Sequence, residues 1–304
     1  MTPSLNPLLV IYNDKFSVVN DFLSLTKPRL SALVIFTCAL GMYLAPGEIS
    51  LLHSIIAIAA TSCLVGGACA INCFMEKDID ALMERTKSRP LPSGRIASKT
   101  ALMFGLSLIV GSLVTIYFII NPLTAVLGFI AAAVYIFLYT PMKTRTSWAL
   151  FAGAIPGAIP PLMGWTSVTN SIGSLGLVLF GILFIWQLPH FLSIAIYHVH
   201  DYNRAEIKTF PGSMGIGKTI SRIAFYTYLL FFISLVPFYI GAASETYKHI
   251  IIFLGGSYFL YSLLGYAFEE GSPSLLQWAR RYFYASLMYL PCVFILMIFF
   301  RENS

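Results

Sequence analysis

Nine runs of apolar residues, parted by short polar stretches, set the pattern of this chain. A helix of about 20 apolar residues crosses the hydrocarbon core of a bilayer. The runs fall at roughly 30–46, 50–74, 100–120, 123–140, 148–165, 173–197, 220–242, 248–267 and 281–300, and each predicts a transmembrane helix. Pro156, Pro160 and Pro161 lie inside the fifth run, and Pro189, Pro237 and Pro291 inside others, so broken or kinked helices are expected there. The expected fold is all-α, nine transmembrane helices around a central cavity with polar loops capping one face. Residues 1–304 read as one membrane domain, with 1–24 as an N-terminal cytoplasmic segment.

The polar positions are unevenly shared between loops. Those near 45–49, 120–122, 166–172 and 243–247 are short, whereas 76–99 and 198–219 are long and polar. Each long loop follows an even-numbered run. One opens with Glu76, Asp78 and Asp80, the other with Asp201 and Glu206, so two acidic helix ends can converge on one membrane face.

Composition agrees with a lipid-solvated chain. The 304 residues are 58% hydrophobic and 11% charged, against about 25% charged in soluble domains. The net charge of +6 would suit nucleic acid, but its placement excludes that partner. With the N-terminus and every second loop on one side, all of the 19 Lys and Arg except Lys248 and Arg301 gather there. The positive-inside rule then puts the N-terminus in the cytoplasm and the C-terminus outside. The five cysteines all fall in or beside predicted spans, at spacings that suit neither disulfides nor zinc, and read as buried thiols. The N-terminal 29 residues show no signal-peptide pattern.

The chemistry concentrates in the segment from Asn72 to Pro90. Asn72, Glu76 and Asp80 recur every four residues, which on a helix makes one stripe of oxygen ligands. Carboxylates one turn apart repel, and a membrane edge raises the cost. A divalent cation bridging to a phosphate turns such a stripe into a site, and magnesium, which prefers oxygen ligands completed by phosphates, is the expected ion. Arg85, Lys87 and Arg89 follow within reach of the same phosphates, where guanidinium groups bind bidentately. The combination fits a diphosphate leaving group.

A second segment runs from Trp186 to Glu206. Asp201 is the expected second metal contact, and His190, inside a span, needs a partner or a ligand. His198 and His200 stand at the helix exit, where a cation, a substrate carboxylate or water are all open to them. Tyr139, Lys143 and Arg145 add a basic corner on the same face. Residues 212–219 satisfy the G-x4-G-K-[ST] phosphate-binding pattern, but that pattern needs a preceding β-strand, and here it opens an apolar span. No nucleotide site is expected, although Lys218 and the amides of that helix start can attract a phosphate.

These residues resemble the UbiA-type intramembrane prenyltransferases, a superfamily that includes 4-hydroxybenzoate polyprenyltransferases and chlorophyll synthases, and within it the branch that farnesylates protohaem IX. The matching segments are 25–30, 72–90, 139–143, 157–165, 186–191 and 201–205. The Asp-Ile-Asp-x3-Glu-Arg-Thr and Trp-Gln-Leu-Pro-His-Phe runs are specific to that branch. The resemblance implies transfer of a farnesyl group from farnesyl diphosphate to the vinyl group of haem B, followed by capture of water to give haem O. It implies magnesium at Asn72, Glu76 and Asp80 with Asp201 opposite. Arg85, Arg89 and Lys143 are expected on the diphosphate, and Phe74, Tyr139, Trp165 and Trp186 as aromatic faces for the allylic cation. His190 is read as a structural histidine in preference to a haem-iron ligand. A bacterial inner membrane and a downstream haem-modifying partner are also implied. The chain departs from the family in carrying Glu76 where Asp is usual, and in reducing a second Asp-rich motif to Asp201 with His198, His200 and Glu206 nearby, which leaves one metal or two open. Rival readings are a sister enzyme acting on a quinone precursor or chlorophyllide, and a transporter.

Overall fold

The computed structural model describes residues 17–302. The greater part of the expected 1–24 segment therefore lies outside the described residues. Within them the regular elements are helices joined by turns and loops, with one isolated bridge between Ala243 and Arg301. Long helices stand where each apolar run predicts one: α1 (Pro28–Leu44), α2 (Leu51–Met75), α3 (Ser98–Ile120), α4 (Pro122–Met142), α5 (Ala149–Thr169), α6 (Ser174–Tyr197), α7 (Ile216–Tyr239), α8 (Glu245–Ala267) and α9 (Pro273–Phe299). Seven of them are long and apolar enough to cross a membrane. The other two are α1, with 17 residues, and the proline-bearing α5, with 21. The nine-span expectation is thus met in position, and in membrane-crossing length and hydropathy by seven.

The largest difference from expectation is at α9, which begins eight residues before the predicted run. Ser272 caps it by accepting from the Leu275 amide, and Pro273 occupies the first turn, where its missing N–H costs nothing. The early turns carry Arg280 and Arg281, whose charge had bounded the apolar run.

The expected break in α5 does not occur: the helix runs unbroken through Pro156, Pro160 and Pro161. Close packing supports it. A Cβ on Gly164 would stand 2.0 Å from the Cys38 carbonyl oxygen, and one on Gly41 would stand 2.0 Å from that of Pro161. The backbones of α1 and α5 therefore touch at two glycines, the small-residue contact that lets helices approach where lipid offers no hydrophobic drive between them. Helix α5 also packs against α4 and α6, and α6 against α7 and α9, so α5 and α6 form the centre.

Two apolar cores result. One lies among α2, α3, α4 and α5, around Leu64, Ile116 and Met163. The larger lies among α5 to α9 with the end of α1, around Leu44, Leu183, Ile223, Tyr282 and Phe294. Outward faces are apolar as well, with Phe118, Phe137 and Phe253 almost fully exposed, as a lipid-facing belt requires. Cys38, Cys69 and Cys73 are buried free thiols, as expected, whereas Cys63 is exposed and Cys292 half-buried.

The α1–α5 contact yields a stability test. Gly164→Ala is expected to cost about 1–3 kcal/mol through overpacking and to lower the melting temperature in detergent. Gly111→Ala, where an added Cβ meets nothing within 4 Å, is expected to leave it unchanged.

Candidate active site

Helix α2 ends on the predicted stripe, and all three side chains are buried: Asn72 is 1% exposed, Glu76 7% and Asp80 2%. The helix bends at Glu76, whose φ of −99° and ψ of 8° separate α2 from the short turn Lys77–Leu82 that carries Asp80. The backbone still runs on, since the Glu76 amide donates to the Asn72 carbonyl and the Asp80 amide to that of Glu76.

Each stripe residue meets a cationic nitrogen at 2.8 Å. Lys27 Nζ donates to Asn72 Oδ1, Lys143 Nζ to Glu76 Oε1, and Arg89 Nη1 to Asp80 Oδ2. Lys143 also reaches Glu76 Oε2 at 3.0 Å. Three cations thus face two carboxylates and one amide oxygen, a cluster of net positive charge at the end of an apolar bundle. Of the partners, Arg89 and Lys143 are the residues expected on a phosphate. Lys27 belongs to this cluster although sequence reasoning did not single it out within the matching segment 25–30. It precedes α1 with φ 51°, a left-handed conformation unusual for a non-glycine residue.

The supports are local irregularities. The second half of α4 widens into a π-helical stretch, Val134–Tyr139, a form that recurs at functional sites. There Thr140 Oγ1 donates to the Tyr135 carbonyl at 2.8 Å and accepts from Asn72 Nδ2 at 3.0 Å. Asn72 is thereby oriented with its oxygen toward Lys27. Thr86 Oγ1 donates to the Asp80 carbonyl at 2.8 Å and closes the loop under Arg89. Tyr139 lies against Gly153 of α5, with the Lys143 ammonium 5.3 Å from its ring centre.

The two acidic loops do meet. Asp201 Oδ1 accepts from the Glu84 amide at 3.3 Å, and Arg204 reaches Glu84 Oε1 at 3.4 Å. The Lys208 amide donates to the Lys143 carbonyl at 3.0 Å, tying the second loop to the basic corner. Arg85 is exposed and acts electrostatically on His198 and Tyr202. Burial, and then Arg85, hold His198 below the ordinary imidazole range against the opposing pull of Asp201. Burial disfavours the charge of Lys143, but Tyr139 and Glu76 outweigh it and keep its pKa above the ordinary lysine value. Lys143 is therefore an ammonium at any physiological pH.

Other predicted residues stand elsewhere. Trp186 Nε1 donates to the Ser286 carbonyl at 2.8 Å, and His190 Nδ1 lies 2.6 Å from Ser286 Oγ. The two rings stack at 4.5 Å between α6 and α9. His190 is thus partnered through Nδ1. Lys218 and Arg145 take no part in these ion pairs among the described residues. Beside Lys218 the Gly217 amide is taken by Glu270 Oε1 at 2.9 Å, so an internal carboxylate already caps the helix start. Two clefts, of about 300 and 200 Å³, open between α3 and α4 and between α8 and α9, and neither is lined by a stripe residue.

The donors are the hard oxygens a divalent cation takes, although each is paired with a cationic side chain and no group of three or more His, Cys, Asp and Glu side chains able to hold a metal stands together among the described residues. Oxygen atoms from one amide and two carboxylates stand one turn apart, already facing positive charge, and magnesium is commonly held by one or two carboxylates plus phosphate oxygens.

Comparison with known proteins gives the family and the fold. Residues 34–287 match the model of the UbiA prenyltransferase family. The protoheme IX farnesyltransferase of Anaeromyxobacter dehalogenans (strain 2CP-C) is 43% identical, the alignment covering 93% of this chain and 94% of that one. The protoheme IX farnesyltransferase of Myxococcus xanthus (strain DK1622) is 41% identical over 91% and 93% of the two chains. Among solved structures, a digeranylgeranylglyceryl phosphate synthase superposes with a TM-score of 0.77 at 17% identity, over 92% of this chain and 97% of the other. A UbiA homologue from Archaeoglobus fulgidus bound to GPP and Mg2+ does so with 0.67 at 16% identity, over 91% and 99%.

The ion pairs carry their own test. Removing one partner of a buried pair leaves an uncompensated charge, at a cost of about 3–5 kcal/mol. Glu76→Gln is expected to lower thermal stability by that order, and Glu76→Gln combined with Lys143→Met to recover most of the loss. A melting series on the two single variants and the double measures the coupling.

Proposed function

The chain belongs to the UbiA prenyltransferase family and is an integral membrane prenyltransferase; from that premise we propose that it transfers the farnesyl group of farnesyl diphosphate to a vinyl group of haem B, with addition of water, to give haem O. The observation that carries this reading is the row of three buried oxygen donors, each facing a cation, in a chain 41–44% identical to proteins named protoheme IX farnesyltransferase.

The C1–O bond of the prenyl diphosphate breaks with its electron pair leaving on the diphosphate. The vinyl π electrons then form the new carbon–carbon bond to C1, and water adds to the resulting cation and loses a proton. The enzyme must stabilise the leaving anion and keep water from the allylic cation until the bond forms. Asn72, Glu76 and Asp80, with Asp201 from the facing loop, would hold magnesium, which would supply neutralisation of the diphosphate charge. Arg89, Lys143 and Lys27 turn from the stripe oxygens to the phosphate oxygens, and exposed Arg85 admits the diphosphate at the mouth. The Tyr139 face, beside Lys143, serves the cation side. Trp186 and His190 fix the α6–α9 contact.

The N-terminus lies in the cytoplasm of a bacterial inner membrane in this reading, because the stripe and the basic loops share the positive face. Haem O is too apolar to leave the bilayer, which favours transfer to a haem-modifying partner within it.

Membranes carrying Asp80→Ala are expected to make at least about a hundredfold less haem O, the scale of loss when one electrostatic partner of a developing charge is removed. Lys218→Met is expected to match wild type. EDTA is expected to abolish, and magnesium to restore, diphosphate release. Wild-type haem O in extracts of the Asp80→Ala strain, measured by mass, would remove the proposed site.

A further inference from the structure

The cleft between α8 and α9 belongs to none of this chemistry. Ser274, Gln277, Trp278 and Arg281 stand at positions i, i+3, i+4 and i+7 of α9 and so share one helix face. Tyr261, Leu264 and Phe268, from the end of α8 and the residue after it, form the other wall. The space holds about 200 Å³. Its walls are unlike: Gln277, Ser274 and the Arg281 guanidinium are exposed on one side, while Leu264 is exposed and Tyr261 and Phe268 half-buried on the other.

The frame is rigid. Trp278 is 3% exposed, its indole N–H donates to the Tyr261 carbonyl at 3.3 Å, and a Cβ on Gly265 would stand 2.6 Å from its ring. Arg281 is free of ion pairs among the described residues, and its charge acts on the Tyr261 hydroxyl. Neighbouring Arg280 is spent differently, lying over the rings of Tyr197 and Tyr284 at 5.7 and 5.8 Å. The cleft opens on the loop-bearing face, since Glu270 of the α8–α9 loop caps the start of α7. Glu269 and Glu270 lie in that loop, so a diffuse cloud of anions is not what the charge pattern attracts.

The geometry points to a binding site for one anionic phospholipid, its headgroup phosphate on Arg281 with Gln277 and Ser274 as hydrogen-bond donors, and the start of an acyl chain against Leu264, Tyr261 and Phe268. Charge complementarity and depth carry the choice. A cationic, donor-lined wall faces an apolar aromatic wall at the level where the spans end, and basic pockets between membrane helices on the loop face are where acidic headgroups bind. The site lies on α8 and α9, apart from the stripe on α2, and stands whether or not the farnesyl reading does.

Native mass spectrometry of the purified full chain tests this, with dioleoyl phosphatidylglycerol and dioleoyl phosphatidylcholine titrated separately. Wild type is expected to retain one phosphatidylglycerol at least tenfold more tightly than phosphatidylcholine. Arg281→Gln is expected to lose that preference, and Arg280→Gln to keep it. An unchanged preference in Arg281→Gln overturns the site, as does equal retention of the two lipids by wild type. Equal loss in both arginine variants would reduce the effect to general surface charge, which also overturns it. The melting temperatures of both variants, measured in the same detergent, separate lost binding from lost fold.

Discussion

Two carboxylates held out of water at the end of an apolar bundle are the constraint on which this structure turns. Glu76 and Asp80 are almost fully buried, and an unpaired buried charge costs several kcal/mol. Each is therefore paired, and the partners come from different parts of the chain. Lys143 follows α4, and Arg89 sits in the loop after α2. Lys27, which precedes α1, holds Asn72 beside them. Satisfying the stripe knits three helix ends into one cluster. The same ammonium and guanidinium groups suit a diphosphate, so the pairing that stabilises the fold also holds the binding groups in place.

That cluster is built from deviations in regular structure. Lys27 takes a left-handed backbone, α4 widens into a π-helical stretch, and α2 bends at Glu76. Each has a recipient: Lys27 reaches Asn72, the π-helical stretch places Thr140 beside the Asn72 amide, and the bend brings Asp80 under Arg89. Sparsely populated conformations persist only where surroundings over-determine them, and here three supported residues surround one row of oxygens.

Positions of the helices were legible because the length and apolarity of a run translate directly into a span. The grouping of the stripe was legible too, although its four-residue period does not stay within one helix: the bend at Glu76 puts Asp80 on the next short turn. Pairing was not. Lys27 lies 45 positions from Asn72 and Lys143 lies 67 from Glu76, and no local spacing reports which distant helix end comes to rest where. Trp186 and His190 show how little a motif says about contacts. They stand in a motif specific to the haem-farnesylating branch, yet their side chains settle on Ser286 of α9, because a buried indole and imidazole require partners wherever packing supplies them. Unbroken α5 was also hidden: its prolines predicted a break, while the glycine contacts with α1 that hold it are visible only in three dimensions.

The two halves of the bundle handle polarity differently, and the difference bears on the reaction. At the end of α2 two of the buried polar groups, Glu76 and Asp80, are charged and paired. Around α6 to α9 the buried polar groups are neutral: Thr227 bonds with Tyr282, Ser234 with Tyr247 and Tyr289, and Ser286 with Trp186 and His190, while the Tyr258 hydroxyl is left without a partner. Stacked Tyr258, Tyr282 and Tyr289 fill the space between. A reaction that expels a multiply charged anion and passes through a carbocation needs both environments in one molecule. Charge must be plentiful where the anion departs and scarce where the cation waits, because a nearby carboxylate or water would capture it. Asp201, the one acidic residue from the second half placed against the first loop, stands at the rim and not in that interior. Reduction of the second acidic motif is then consistent with the layout: among the described residues Asp201 meets the first loop at the boundary, and the buried residues of α6 to α9 include no Asp, Glu, Lys or Arg.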